Sequence, residues 1–443
     1  MKWGRMLAAG VLLAGLAVVL WWSNRQEKAR EGKPAADAPP KILALGADTI
    51  QRIEIRRRGE DPITLQLKGS QWEMTSPKPF AVDSTAVSAI TSAAASVDSE
   101  RVVDPNLSDP KAYGLAPAAI EVDFGTKDGK TSKLLIGDTT PAGSAVYAKL
   151  DGDPRLFTMA MYSKSAFDKE AKDLRDKRLL PFTQDKLSRI EITAQKQTYE
   201  FVKKGESEWQ IVKPKAMRAD STQTDELVQQ LKNAQMDLSG VQDDKKNAAA
   251  FSSASPLAIA KVTDQDGTKT LEIRKVKDDY YAKSSAVAGV YKVAKTVGDG
   301  LDKPVDTYRN KKLFDFGFSD PTHIEVTDGS KTSIFDKNGD NWMSGGKKMD
   351  STSVQAFADR LRDLSAAKFA DSGYTTTVIT LTVVSNQGKL REKVEIAPAA
   401  SGGNFLARRD GDASFYELEA GMVKDLRQAV GDVREAQPEK KKQ

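Results

Sequence analysis

The chain has no cysteine and a single histidine, His323, in 443 residues. Without cysteine there is no disulfide framework, no lipidated-cysteine anchor and no Cys-based metal site. One imidazole alone does not make a zinc site of the usual ligand set. A Ser-His-Asp arrangement would need His323, and no Gly-x-Ser-x-Gly elbow accompanies it. Charge of one sign is also missing. The 67 basic and 62 acidic groups nearly cancel to +5, and no basic block of the kind that binds nucleic acid stands in the folded part. Carboxylates are plentiful, but no pair stands out as an acid/base couple. The sequence therefore marks no catalytic, cofactor-binding or metal-ligating residue, and the leading expectation is a protein that is not an enzyme.

Long apolar runs are scarce too, with one exception. Met6 to Trp22 contains no charge and includes Leu7, Val11, Leu12, Leu13, Leu16, Val18, Val19 and Leu20. As a helix it would span about 25 Å, at the short end of what crosses a bilayer. Trp3 and Trp21–Trp22 stand where amphipathic rings favour the headgroup level. A buried core helix would carry a polar stripe. A cleaved signal peptide would have a shorter apolar core and a small-residue site directly after it, although Ala35-Ala36-Asp37-Ala38 supplies a late one. Residues 1–22 are accordingly predicted to be an uncleaved signal anchor. The cations after the run (Arg25, Lys28, Arg30, Lys33) outnumber Lys2 and Arg5 before it, which favours a cytoplasmic body. The export-like start and the lack of thiols argue for the opposite orientation, with the body in the periplasm, and that is the expectation adopted. Residues 23–43, rich in Lys, Arg, Glu, Ala and Pro, read as a flexible linker, and 437–443 as a disordered tail.

The remainder is repetitive. Ile53-Glu54-Ile55 recurs as Ile190-Glu191-Ile192 and Ile324-Glu325-Val326. Each is followed by a tryptophan (Trp72, Trp209, Trp342) and then by Asp-Ser-Thr at Asp83, Asp220 and Asp350. Ile53, Trp72, Pro77 and Asp83 all return after 137 residues, whereas the third copy drifts and loses the proline. Tyr147-Ala148-Lys149 matches Tyr281-Ala282-Lys283 and, loosely, Leu406-Ala407-Arg408, with Phe157, Tyr291 and Tyr416 ten residues on. Arg175-Asp176-Lys177-Arg178-Leu179-Leu180 resembles Arg309-Asn310-Lys311-Lys312-Leu313-Phe314. These spacings predict three repeat units, 44–178, 179–311 and 312–436.

Within a unit, alternation at Ile53, Ile55, Ile63, Leu65 and Leu67 predicts strands with one buried face. Val87, Ile90, Ala94 and Val97 predict a helix, and a closing helix is expected over Lys164–Leu174. The order β-β-β-α-β-β-β-β-α defines an α+β class with mostly antiparallel pairing. The repeated Asp is expected to cap its helix, with Gln223 completing a capping box at Asp220. Gly125-Thr126-Lys127-Asp128-Gly129-Lys130-Thr131 has the wrong spacing for a phosphate loop and reads as a hairpin turn, as do Asp266-Gly267 and Gln387-Gly388. The tryptophans are expected to anchor cores, the alternative being a stacking platform. The basic junctions suit either an acidic partner or a helix C-terminus.

The anchor, the Ile-x-Ile…Trp…Pro…Asp-helix unit and the Leu174-Arg175-Asp176-Lys177-Arg178-Leu179-Leu180 junction resemble a bacterial domain-of-unknown-function family. Its members are commonly encoded beside permease and auxiliary genes of gliding-motility-type ABC transporters. The resemblance implies an accessory protein of the bacterial inner membrane, single-pass, with its repeats in the periplasm and with permease and auxiliary subunits as partners. It supplies no active-site residues and no cofactor. The leading expectation is a non-enzymatic scaffold. An envelope lipid- or glycan-binding module is the alternative, and a carboxylate-dependent hydrolase the third choice.

Overall fold

Alternation of apolar side chains sets the faces of the sheets. In the first repeat Ile53 and Ile55, Val122 and Phe124, and Leu134 and Ile136 are all fully buried on adjacent strands. Between them Arg52 and Arg56 point to solvent and hold Glu54 from both sides. A computed structural model describes residues 40–205, 208–240, 243–318 and 321–437. The apolar run 6–22, nearly all of the linker and the tail beyond Gln437 lie outside the described residues. No helix among the described residues is long and apolar enough to cross a membrane. The fold is mixed α+β with strands dominant.

The chain divides into two compact units, Met1–Lys177 and Arg178–Gln443. The first holds a nine-stranded and a two-stranded sheet, and the second holds an eight-stranded and a nine-stranded sheet. All pairings are antiparallel and follow one plan. In the first unit a meander of Ile50–Arg57, Ile63–Lys68, Gln71–Ser76 and Phe80–Ala81 runs outward in one direction. A second meander of Ile120–Thr126, Thr131–Thr139, Ala145–Leu150 and Leu156–Ala160 runs the other way. The first strands of the two meanders pair at the centre. Helix Ser84–Ala94 lies in the crossover between them, and its Val87, Ile90 and Ala94 join the same core as Ile53 and Phe124.

Each crossover helix starts where the repeated aspartate stands. The carboxylate of Asp83 accepts from the Thr85 amide at 2.8 Å, that of Asp220 from Gln223 at 3.0 Å and that of Asp350 from Ser353 at 2.9 Å. These bonds satisfy amides that the first helical turn leaves free. The expected return half of a capping box at Asp220 is replaced. Its own amide donates to the Tyr308 carbonyl at 2.8 Å, just as Asp83 donates to Leu174 and Asp350 to Arg434, both at 2.9 Å. Each cap is thus tied to the end of its own repeat.

Other expectations need correction. The closing helix of the first repeat is two pieces, Met161–Phe167 and Ala171–Leu174, because Glu170 and Asp173 form a capping box that starts a new helix. In the second repeat the same region is Lys295–Leu301 and a 3-10 turn Val305–Tyr308, broken at Pro304, and only the third has a continuous helix, Ala420–Gly431. Linker residues Lys41–Leu43 form a strand paired with Val97–Asp98. In the first and third repeats a ninth strand, Arg101–Asp104 or Lys368–Ala370, closes the sheet edge. The second repeat begins the same pairing with Asp237 N to Lys292 O at 2.8 Å, then turns away at Ser239. Helix Asp244–Ser252 packs there instead, through a small cluster of Phe251, Tyr281 and Val290.

Candidate functional site: the seam between the second and third repeats

The peptide Tyr308–Leu313 belongs to two repeats at once. Its first half pairs with the segment before the second repeat's helix: Asn310 N donates to Arg218 O at 2.9 Å, and Arg309 bridges Ala219. Its second half pairs with the segment after the third repeat's helix: Leu313 N donates to Leu364 O at 2.9 Å, and Ala366 N to Lys311 O at 2.8 Å. Leu313 and Phe314 then bury completely in the third core. Burial pushes the Tyr308 hydroxyl up to about 12.

An ion network locks this seam. Arg218, from the second repeat, reaches across to Asp315 Oδ1 (2.6 Å), the Lys312 carbonyl (2.8 Å) and the Tyr416 hydroxyl (3.3 Å). Asp315 Oδ2 meets Arg409 at 3.0 Å, and Arg409 also holds Glu392 Oε1 at 2.9 Å. The same Glu392 oxygen accepts from the Asp315 amide at 2.7 Å, while Oε2 is buried with no hydrogen-bond partner. Tyr416 donates to Asp412 at 2.6 Å. Arg309 stacks on the Phe369 ring at 3.4 Å, and Lys215 faces Asp371 at 3.8 Å.

Three carboxylates and two guanidiniums meet in the network, and burial and hydrogen bonds set the pKa directions. Burial pushes Glu392 above the ordinary carboxylate value, against the pull of the Asp315 amide and Arg409. Burial acts the same way on Asp412, but the Tyr416 hydroxyl and Ser414 amide outweigh it and hold that carboxyl low. A cleft of about 340 Å³ beside the network is walled by Lys393, Glu395, Arg408, Arg409, Asp410 and Asp412. It lacks the apolar lining typical of small-molecule sites. The arrangement fixes two sheets against each other.

The residues singled out by sequence have structural partners. His323 Nδ1 lies 2.7 Å from Asp336, with Glu325 at 3.7 Å. Trp209 and Trp342 are buried in their cores, while Trp72 is only half-buried against its own. Gly129 takes a positive φ of 79° in the turn after Ile120–Thr126, so the Gly125–Thr131 segment is a hairpin. At the first junction Arg175 stacks on Phe80 at 4.0 Å. Among the described residues, no three His, Asp or Glu side chains converge as a metal ion would require. The seam network itself was not visible in sequence, because Arg218, Asp315, Glu392 and Arg409 do not recur between the copies.

The fold and seam define a class: a tandem array of antiparallel α+β repeats in which the second and third copies are interlocked. Two matches to the family described as Domain of unknown function (DUF4340) cover residues 72–246 and 209–379. Together they span 72–379, and the chain belongs to this family. Each match begins at a repeat's tryptophan, Trp72 or Trp209, and crosses into the following repeat. No curated protein and no solved structure matches the chain.

Proposed function

We propose that this protein is a non-enzymatic accessory or scaffold subunit of a membrane transport complex, held to the bacterial inner membrane by residues 1–22 with its repeats in the periplasm. The observation that carries the proposal is the seam, where charged and backbone groups of one repeat are used to hold the next rather than to line a reactive pocket. The second and third repeats, joined in this way, offer partner proteins a surface larger than one repeat. The resemblance in the sequence supports an ABC-type permease and its auxiliary subunits as those partners. The apolar Met6–Trp22 run and the absence of cysteine support the anchor and the exported orientation.

Co-purification of the full chain from membranes, read by mass spectrometry, tests this function. Permease and ATPase subunits are the expected companions. Recovery of lipid or glycan without them would favour an envelope-binding module. Alkaline phosphatase fused after Gln443 is expected to be active, and a cytoplasm-dependent fluorescent fusion dark. The reverse pattern would overturn the orientation.

A further inference from the structure

The last strand of the second meander can be aligned across the three repeats from its pairing. Phe157, Tyr291 and Tyr416 stand opposite Ala148, Ala282 and Ala407, so Leu156, Val290 and Phe415, one residue earlier, are equivalent. In the first and third repeats the ninth strand covers this edge, with Asp104 beside Leu156 and Ala370 beside Phe415. The second repeat starts in the same way. Asp237 N donates to Lys292 O as Glu100 N donates to Thr158 O and Ala367 N to Glu417 O. Beyond that bond the repeats differ. Among the described residues no strand lies beside Val290 on its outer edge. Its carbonyl accepts instead from the side-chain amide of Asn247, at a long 3.3 Å.

Asn247 reaches this carbonyl from helix Asp244–Ser252 and is itself only 6% exposed. The oxygen of the same amide has no partner among the described residues. A cleft of about 350 Å³ opens here, walled by Asn247, Lys246, Lys292, Asp237 and Asp243 among others. A strand residue in a packed sheet fills roughly 3.4 by 4.8 by 10 Å, about 160 Å³, so the cleft takes about two of them. Both carboxylates in its wall are engaged by the protein's own donors. Asp237 accepts from the Ser239 amide at 2.9 Å and hydroxyl at 2.6 Å, and Asp243 from the Lys246 amide at 2.9 Å. Lys292 meets Asp279 at 2.9 Å. The Lys246 side chain is exposed and has no ion pair among the described residues, so the charge left over is positive.

We propose that this edge accepts an extended, acidic segment of a partner protein as the strand that the second repeat lacks. The incoming amide displaces Asn247 from the Val290 carbonyl, and a carboxylate beside it meets Lys246. An uncovered sheet edge recruits strands through its backbone groups. In such an addition the backbone bonds supply affinity and the side chains supply specificity. The first repeat already shows the arrangement, with Asp104 at the equivalent place. The inference does not depend on the transport reading.

The probe is a fluorophore-labelled, C-terminally amidated peptide of residues Val102–Leu107, which runs along Leu156 and Pro154 in the first repeat. Its fluorescence anisotropy is followed against the full-length chain in mild detergent. Saturable binding is expected, weakened several-fold by Lys246→Glu and by added salt. Asn247→Ala frees the Val290 carbonyl and is expected to tighten binding several-fold. A strand turns only alternate amides toward its neighbour. Two versions of the peptide, N-methylated at alternate residues in opposite phase, therefore separate strand pairing from charge attraction on the unaltered protein. One version is expected to lose binding and the other to keep it. Absence of saturable binding, indifference to Lys246→Glu, no tightening by Asn247→Ala, or equal loss from both methylated peptides would overturn the proposal.

Discussion

Two positions only two residues apart behave in opposite ways across the three repeats. Asp83, Asp220 and Asp350 are the same residue, and each caps its helix. Ala81, Arg218 and Lys348, two residues before them in the paired strand, are three different residues, and only Arg218 is engaged by a neighbouring repeat. The first position is dictated by the helix that every repeat must start. The second is dictated by what its side chain meets: Arg218 reaches Asp315 in the next repeat, whereas Ala81 and Lys348 are exposed. Uniform positions therefore report the fold, and variable positions beside them report the interfaces.

The largest effect should come from the junction. Leu313→Ala removes a fully buried side chain that fastens the seam peptide into the third core, and should cost about 2–5 kcal/mol in thermal or denaturant unfolding. The same change at the equally buried Leu179 should cost a similar amount. A loss confined to one of them would break the equivalence of the junctions.

The caps come next. Asp220→Ala should cost about 1 kcal/mol and Asp220→Asn much less, with the same ranking at Asp83 and Asp350. A cap whose replacement leaves stability intact but abolishes complementation would have a role other than capping.

Arg218→Ala should cost about 1 kcal/mol, since Asp315 is partly exposed and keeps Arg409 as a partner. Ala81→Arg should change unfolding very little. Equal losses at the two positions would remove the distinction between a seam residue and its counterpart in the first repeat.

How much of this was legible follows from the same contrast. The sheets, the crossover helices, the caps and the hairpin at Gly129 could be read because each depends on a local pattern, and most of these patterns occur three times. The break in the closing helix was missed because Glu170 and Asp173 look like ordinary helix residues until their side chains are seen bonding the backbone. The ninth strands were missed because Arg101–Asp104 and Lys368–Ala370 are too short to alternate visibly. The seam network joins Arg218 to Asp315, Glu392 and Arg409 from distant parts of the chain, and each is an ordinary charged residue until the sheets bring them together.

The smallest effect is one of pH. Because Glu392 is raised in the folded state, its favourable contribution is complete below the unfolded carboxylate value and is lost as pH rises through the folded value. Glu392→Gln should therefore become progressively less harmful, relative to wild type, as pH rises from 4 to 7. Asp412 is lowered, so its contribution is present above the unfolded value and lost as pH falls. Asp412→Asn should show the opposite trend. Parallel trends in the two variants would contradict the burial and hydrogen bonding assigned to these two carboxyls.

The central claim is that this array works through distributed surfaces rather than one reactive centre. An alanine scan of exposed Asp, Glu, Ser and Thr together with His323, scored by complementation of a deletion strain and by protein abundance, tests it most directly. A graded profile is expected, with every severe loss traced to low abundance or to a cluster along a repeat face. A normally abundant, fully inactive variant grouped with others in a single pocket would contradict it.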